Sequence, residues 1–250
     1  MLINTIRRAA RLAIDCVVGD VCVLCQLPLT AHQWRDPLGL NDHMCPYCRT
    51  AVALNTNACG HCALPLPIAQ KTCGRCLYTP LTHLAVAPVL HQYCGAYLVH
   101  QLKFHRGERE ALALASFLLT AINQHYPSSA ALPDLLIPVP IAPWTQLRRG
   151  YNPPEWLART LQKQLDVAVA DDLVTRKSGP SQRTLSRSQR MRLAKNTFSL
   201  KHKIAPSILS SRHVAIVDDV LTTGATVAVL KRTLQRAGAS RVDVWSATRA

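Results

Sequence analysis

Acidic residues are scarce in this chain. Its 250 residues include 14 Asp and Glu against 29 Lys and Arg, a formal charge of +15. Such an imbalance favours an anionic partner: phosphate, nucleic acid or an acidic surface. No run reaches the ~18–20 apolar residues of a membrane span, so a spanning helix is not expected. An export signal is missing too. Arg7, Arg8 and Arg11 precede a short apolar stretch at 12–18, but Asp15 interrupts it and no small-residue cleavage pattern follows. A surface-packed amphipathic helix is the expectation there. Without export the protein belongs in the reducing cytoplasm, where structural disulfides are rare. Disorder is not expected either, because 48% of the residues are hydrophobic and the length allows a real core.

The first 80 residues lack sustained helical periodicity and are punctuated by Pro28, Pro37, Pro46, Pro65, Pro67 and Pro80. Such a segment builds little apolar core and needs another staple. Eight of the ten cysteines lie here as four C-x-x-C pairs: Cys22/Cys25, Cys45/Cys48, Cys59/Cys62 and Cys73/Cys76. Each C-x-x-C turn delivers two thiolates to one metal, and two turns close a tetrahedral site with no open position. Two structural zinc sites follow. Sequential pairing joins Cys22, Cys25, Cys45 and Cys48, then Cys59, Cys62, Cys73 and Cys76; crossed pairing is the alternative. Redox chemistry or an iron–sulfur cluster is the competing reading, and four pairs between residues 22 and 76 favour zinc. Filling both sites lowers the net charge to about +11, so the basic character survives. His61 reads as a surface residue, and Cys16 and Cys94 as small hydrophobes.

After about residue 84 helix and strand patterns alternate. Helices are expected over 108–125, 154–165 and 223–237, and strands over 135–140, 213–217 and 241–248. The alternation predicts an α/β domain with a parallel sheet and ligands at the carboxyl ends of its strands. The chain divides into residues 1–82, with the cysteine pairs, and residues 83–250.

One motif carries the chemistry. Residues 214–226 read Val-Ala-Ile-Val-Asp-Asp-Val-Leu-Thr-Thr-Gly-Ala-Thr. An apolar strand ends on Asp218 and Asp219, and a loop of Thr222, Thr223, Gly224, Ala225 and Thr226 opens a helix. The carboxylates suit ribose hydroxyls, and the helix N-terminus with its threonines suits a 5′-phosphate. The segment resembles the phosphoribosyl pyrophosphate signature of type I phosphoribosyltransferases at all 13 positions. That resemblance implies a second loop for pyrophosphate and magnesium at Pro138-Val139-Pro140, with Arg148 and Arg149 as pyrophosphate ligands and Lys103 a further candidate. Oxopurine-specific members carry an acid where this chain has Thr222. Threonine is no general base at neutral pH, so oxopurine salvage is disfavoured.

From 173 to 217 there is no acid at all, while ten cations occur: Arg176, Lys177, Arg183, Arg187, Arg190, Arg192, Lys195, Lys201, Lys203 and Arg212. Residues 178–188 are polar and sit where type I enzymes place a loop that closes over the site. Contact with a nucleic-acid backbone is the other reading, and a solvated basic surface the plainest. Phe198 is the one aromatic, so no extended base-stacking platform is expected in this stretch.

Taken together the chain resembles the ComF/GntX family, a double zinc ribbon joined to a phosphoribosyltransferase-like domain. His100-Gln-Leu-Lys103-Phe104, Arg148-Arg149-Gly150-Tyr151-Asn152, Gln182, Leu185-Ser186 and Arg192 match it as well, while Pro153 and Leu193 replace the family's Gln and Asn. The resemblance implies DNA uptake, competence and use of extracellular DNA as nutrient, with DNA-processing proteins as partners. Two mechanisms stay open. The first is a magnesium-dependent phosphoribosyltransferase acting on phosphoribosyl pyrophosphate. The second is a protein that senses a nucleotide or handles single-stranded DNA. No catalytic base is assigned.

Overall fold

The computed structural model describes residues 20–29, 43–68, 70–177, 197–200 and 205–250. The expected helix at 12–18 and the polar loop at 178–188 lie outside them. Of the ten cations between 173 and 217, only Arg176, Lys177 and Arg212 lie inside.

Apolar runs build a parallel sheet. Strands β1 (Ala85–Val86), β2 (Val89–Leu90), β3 (Leu135–Pro138), β4 (Ala168–Val169), β7 (His213–Leu221) and β8 (Arg241–Arg249) pair in the order β1-β8-β7-β3-β4, with β2 also on β8. Each of these pairings is parallel. β5 (Val174–Arg176) and β6 (Phe198–Leu200) form a separate antiparallel ladder. The central strands are covered on both faces, which explains their unbroken apolar sequences. Val214, Ala215, Ile216 and Val217 are all fully buried.

Alternation along the strands feeds two cores. Ala215, Val217, Trp245 and Ala247 face one way, against α3 (Tyr93–Phe104), α4 (Glu108–His125) and α6 (Pro153–Leu165). Val214, Ile216, Val242 and Val244 face the other way, against α8 (Ala225–Arg236). Helix α4 runs where its apolar period predicts, with Glu108 and Glu110 in the first turn and His125 in the last, each sign favouring its end of the helix dipole. Helix α6 opens on Pro153 and Pro154, whose missing N–H groups are harmless there.

Some elements differ by a single residue at one end from the ranges expected, and three boundaries near the Asp218-Asp219 loop and Pro140 differ by more. β7 does not stop before the aspartates but continues to Leu221, because Val220 and Leu221 still pair with Thr248 and Arg249. Its helix starts at Ala225 rather than 223, since Gly224 takes a left-handed cap conformation (φ 77°). β3 ends at Pro138, short of Pro140.

The cysteine-rich segment holds two single-turn helices inside its C-x-x-C pairs, α1 (Pro46–Ala51) and α2 (Gly74–Tyr78). It contributes more core than its composition predicts. Cys22, Val23, Leu29, Met44 and Val52 join the α3/α4 core, and the second set of cysteines joins the α8 core. Backbone bonds also tie it to the sheet: Asn55 N–H donates to Pro88 O (2.7 Å) and Leu90 N–H to Ala53 O (2.9 Å). Cys94 is a half-buried residue packed on the core, as expected. Among the described residues no helix is long and apolar enough to cross a membrane.

One polar cluster sits inside the apolar frame. Asp243, fully buried, accepts from His213 Nε2 (2.7 Å), Tyr126 Oη (2.7 Å), Arg241 Nη2 (2.9 Å) and Leu84 N (3.0 Å). Burial alone would raise its pKa. Hydrogen bonds from His213, Arg241 and Tyr126 outweigh burial and hold the carboxyl below its ordinary value of 3.8. A carboxylate depressed in this way stabilises the fold above about pH 4, and that contribution is lost as pH falls through its folded value. Asp243→Asn is expected to cost about 3 kcal/mol in urea unfolding at pH 7, because donors gathered around one buried charge lose it. It should also flatten the acid limb of the stability profile.

Candidate functional site

The chain gathers its functional candidates at the carboxyl ends of β3 and β7. Asp218 and Asp219 are successive strand residues, so their side chains point to opposite faces of the sheet. Asp219, 6% exposed, accepts an ion pair from Lys103 Nζ at 2.9 Å. Its own carbonyl accepts from Thr248 Oγ1 (3.1 Å). Asp218 Oδ1 accepts from the Asp219 N–H at 2.9 Å. Loss of surrounding water, and then the neighbouring Asp219 charge, raise the Asp218 pKa from 3.8 to about 8.

Around the two carboxyls lies an open cleft of about 300 Å³ lined by Lys103, Arg149, Arg176, Thr145 and Thr226, with Val139 and Pro140 along one wall. Thr226 lies in the first turn of α8, so the cleft abuts a helix N-terminus and its free N–H groups. Thr222, Thr223 and Ala225 are exposed; Thr222 and Thr223 line not the cleft but a small cavity of about 60 Å³ with Cys62, Cys73 and Arg249, and Ala225 N–H bonds to Thr223 Oγ1 (3.3 Å). Gly224 is required twice over. Its φ is left-handed, and a Cβ there would come within 2.6 Å of Leu81 Cδ2.

The Arg-Arg-Gly-Tyr-Asn segment frames the cleft. Gly150 (φ 79°) ends α5 (Pro143–Arg149) in a left-handed cap. Tyr151 Oη donates to Leu102 O (2.8 Å) and accepts from Arg106 N–H (3.1 Å), fixing the end of α3 and with it Lys103. Asn152, buried, donates to Val139 O (3.1 Å) and holds the loop after β3. The two arginines separate. Arg149 lines the cleft, whereas Arg148 lines an adjoining cavity of about 440 Å³ with Lys103, Phe104, His105, Arg106, Arg149 and Tyr151. Arg176 in the cleft and Arg106 in that cavity are site cations the sequence reading did not single out. Nothing local marks them. They arrive through the β5 and α3–α4 connections.

The cysteines gather into two clusters, Cys22/Cys25/Cys45/Cys48 and Cys59/Cys62/Cys73/Cys76, each with its four Sγ atoms within 4.8 Å of one another. Pairing is sequential, not crossed. The Sγ···Sγ distance is 3.9 Å for Cys25–Cys45 and 3.7 Å for Cys62–Cys73. Tetrahedral sulfurs at 2.3 Å from one ion would sit about 3.8 Å apart, so the clusters fit a four-thiolate metal ion. Backbone N–H groups of Cys45 and Cys73 donate to Cys22 Sγ (3.4 Å) and Cys59 Sγ (3.3 Å). Burial pushes the Cys45, Cys48, Cys62 and Cys76 thiols up, whereas at Cys22 and Cys73 hydrogen bonds outweigh burial and bring the thiols down to about 7. His61 is no ligand: its Nδ1 lies 3.0 Å from Thr82 O.

The second cluster abuts the Thr-Gly loop. Arg249, 8% exposed, donates from Nε to Cys62 O (3.2 Å) and from Nη1 to Leu221 O (2.9 Å). Arg75 Nη2 reaches Thr223 O (3.5 Å), and Lys231 Nζ donates to Leu81 O (3.0 Å). The second cysteine cluster therefore props the loop that opens α8.

No protein-family model matches the chain. It is 34% identical over 236 residues to DNA utilization protein YhgH of Escherichia coli (strain K12), spanning 91% of this chain and 96% of that one. The same protein of Salmonella typhimurium is 35% identical over the same shares. Competence protein F of Haemophilus influenzae is 34% identical over 155 residues, 61% of this chain and 67% of the relative. Among solved structures, a purine phosphoribosyltransferase from Pyrococcus horikoshii aligns at TM-score 0.33 and 17% identity, over 55% of this chain and 83% of that one. That likeness is too slight to argue from.

Arg249→Ala is expected to destabilise the fold by roughly 2–4 kcal/mol in urea unfolding, because it strips the buried Cys62 and Leu221 carbonyls of a charged donor. Asp218→Asn should act in the opposite direction. A carboxyl whose folded pKa is raised loses stability as pH climbs from about 4 to about 8. The variant is therefore expected to gain at least ~1 kcal/mol at pH 8 and to show no such decline on titration.

Proposed function

The chain belongs to the ComF/GntX family, that of DNA utilization protein YhgH and Competence protein F, and from this premise we propose that it serves the uptake or use of extracellular DNA through a sugar-phosphate site centred on Asp218 and Asp219. One observation carries the reading. Two carboxyls, Lys103, Arg149 and the N-terminus of α8 converge on one cleft.

The roles follow from chemistry. Asp218 and Asp219 accept the ribose 2′- and 3′-hydroxyls. Thr222, Thr223, Gly224, Ala225 and Thr226 enclose the 5′-phosphate with hydroxyls and free N–H groups. Lys103 and Arg149 meet a pyrophosphate, and Arg148 meets charge extending into the next cavity. Lys103 is held by Asp219 in the free protein, so a bound sugar phosphate exchanges one anion for another at that ammonium. Magnesium, arriving with phosphoribosyl pyrophosphate, supplies charge neutralisation beside the Asp218 carboxyl. Zinc fills both cysteine clusters and is structural, because four thiolates leave no position for substrate. Residues 1–82 form the metal-binding part and residues 83–250 the sugar-phosphate part.

A transferase would rest on positioning and electrostatics, since the cleft presents no base besides the two aspartates. A nucleotide sensor would use the same contacts without turnover. Zinc-loaded protein titrated calorimetrically with phosphoribosyl pyrophosphate and magnesium should bind, and Asp218→Asn/Asp219→Asn should weaken binding at least about 100-fold, the loss of two charge-assisted contacts. Because Asp218 is mostly protonated below about pH 8, binding through its carboxylate should release a proton at pH 7. The measured heat should then vary with buffer ionisation enthalpy. A folded wild type that binds none of the ligand would overturn the reading.

A further inference from the structure

Helix α3 is built the wrong way round for a surface helix. Its buried residues are Gly95, Leu98, Val99 and Leu102, all on one side. The opposite side should carry charged or polar groups. It carries Tyr93, Tyr97, His100 and Phe104 instead, spaced by four, three and four residues. At 100° per residue these four fall within an arc of about 60°, diametrically across from the buried face. All are exposed: Tyr93 83%, Phe104 59% and Tyr97 41%, with His100 also open to solvent. The ladder is continuous at its lower end, where the His100 and Phe104 rings lie 4.9 Å apart. Single exposed apolar residues need no explanation, but an aligned row of rings on a helix face does.

Charge identifies the occupant. No acid occurs on α3, and its one charged residue is Lys103. The row runs into the 440 Å³ cavity, lined by Lys103, Phe104, Arg106, Arg148 and Arg149 with no carboxylate among its walls. The Arg149 guanidinium sits 5.4 Å over the Phe104 ring. Lys103 is paired with Asp219, but three arginines remain on the walls, and rings beside such a cationic cavity suit a polyanion with flat apolar faces. Successive rings on the helix step by about 4.5–6 Å, and the row spans about 16 Å. That step exceeds the 3.4 Å rise of a duplex strand, so it fits bases that are unstacked and laid on separate rings.

We infer that the outer face of α3 is a track for single-stranded DNA, with bases on Tyr93, Tyr97, His100 and Phe104 and phosphates entering the Lys103–Arg106–Arg148–Arg149 cavity. It uses none of the ten cations of the acid-free stretch at 173–217 on which the charge pattern alone focuses attention. It extends the DNA-use half of the proposed function; it shares Lys103, Arg148 and Arg149 with the sugar-phosphate half, whereas the rings of α3 belong to the track alone.

The test is fluorescence anisotropy of zinc-loaded full-length protein with a labelled oligo-dT of twelve nucleotides, at two salt concentrations. Tyr97→Ala/His100→Ala is the variant. Both side chains face solvent, and the variant's far-UV spectrum and melting should match wild type. Affinity is expected to fall by at least roughly tenfold, since each base–ring stack contributes on the scale of a tenfold change. An abasic backbone of equal length should bind weakly, and equally to both proteins. The equivalent duplex should bind more weakly than the single strand. Wild-type affinity for oligo-dT in the variant, or an abasic strand that binds as well as oligo-dT, would overturn the inference. So would a wild type that ignores oligo-dT but sediments as a dimer that Tyr97→Ala/His100→Ala dissolves, which would assign the face to self-association. Phosphoribosyl pyrophosphate titrations on the same samples keep the two proposals apart. Binding retained there while oligo-dT fails sinks only the track, and the converse sinks only the sugar-phosphate site.

Discussion

The pairing of β7 with β8 past the aspartates is the constraint on which the site depends. Had β7 ended at Val217, Asp218 and Asp219 would begin a loop. Instead Asp218 pairs with Ser246, and Val220 and Leu221 with Thr248 and Arg249. The ladder therefore holds the two carboxyls from both sides. Thr248 secures the backbone of Asp219, and Arg249, carried by the same strand, joins Leu221 to the second cysteine cluster. A strand that is structural for most of its length thus becomes the mount for the loop that follows.

Electrostatics then divide the labour. In the cleft the two acids are opposed by Lys103, Arg149 and Arg176. The next cavity is lined by Arg106, Arg148 and Arg149 and by Lys103, the last already paired with Asp219. At the other end of the sheet Asp243 collects His213, Tyr126 and Arg241 around one buried carboxylate. The same residue type has its pKa raised at 218 and lowered at 243. At 218 desolvation and a neighbouring acid dominate, while at 243 surrounding donors outweigh burial.

Much of this was legible from residue order. The apolar period at 108–125 places α4, and the Asp-Asp-x-x-Thr-Thr-Gly pattern places the strand, the turn and the helix. C-x-x-C spacing gives the ligand sets, though not their sequential grouping, which needs distances between sulfurs. The illegible part consists of contacts between residues far apart in sequence. Arg249 lies one residue past the strand expected at 241–248 and belongs to no motif, because its partners, Cys62 and Leu221, are known only once the second cysteine cluster lies on the loop. Arg148 and Arg149 look equivalent as neighbours, yet consecutive helix positions point about 100° apart, and of the two only Arg149 reaches the cleft of the aspartates. The rings of α3 have a readable period, but an aromatic row at helical spacing ordinarily signals a core. Only burial shows that here it faces outward.

The position of β8 also sets an order of events during synthesis. Among the described residues β1 and β2 pair with β8 and with no other strand of the sheet, and just before β1 the bond from Leu84 N–H to the Asp243 carboxylate spans 159 residues. As the chain emerges, both sets of cysteines are complete before the strand that anchors their surroundings exists. Metal capture can therefore run ahead of sheet closure, giving the early segment a fold of its own through thiolate bonds. The late arrival of β8 then docks a preassembled module onto both faces of the sheet at once, a long-range closure of the kind that makes folding slow.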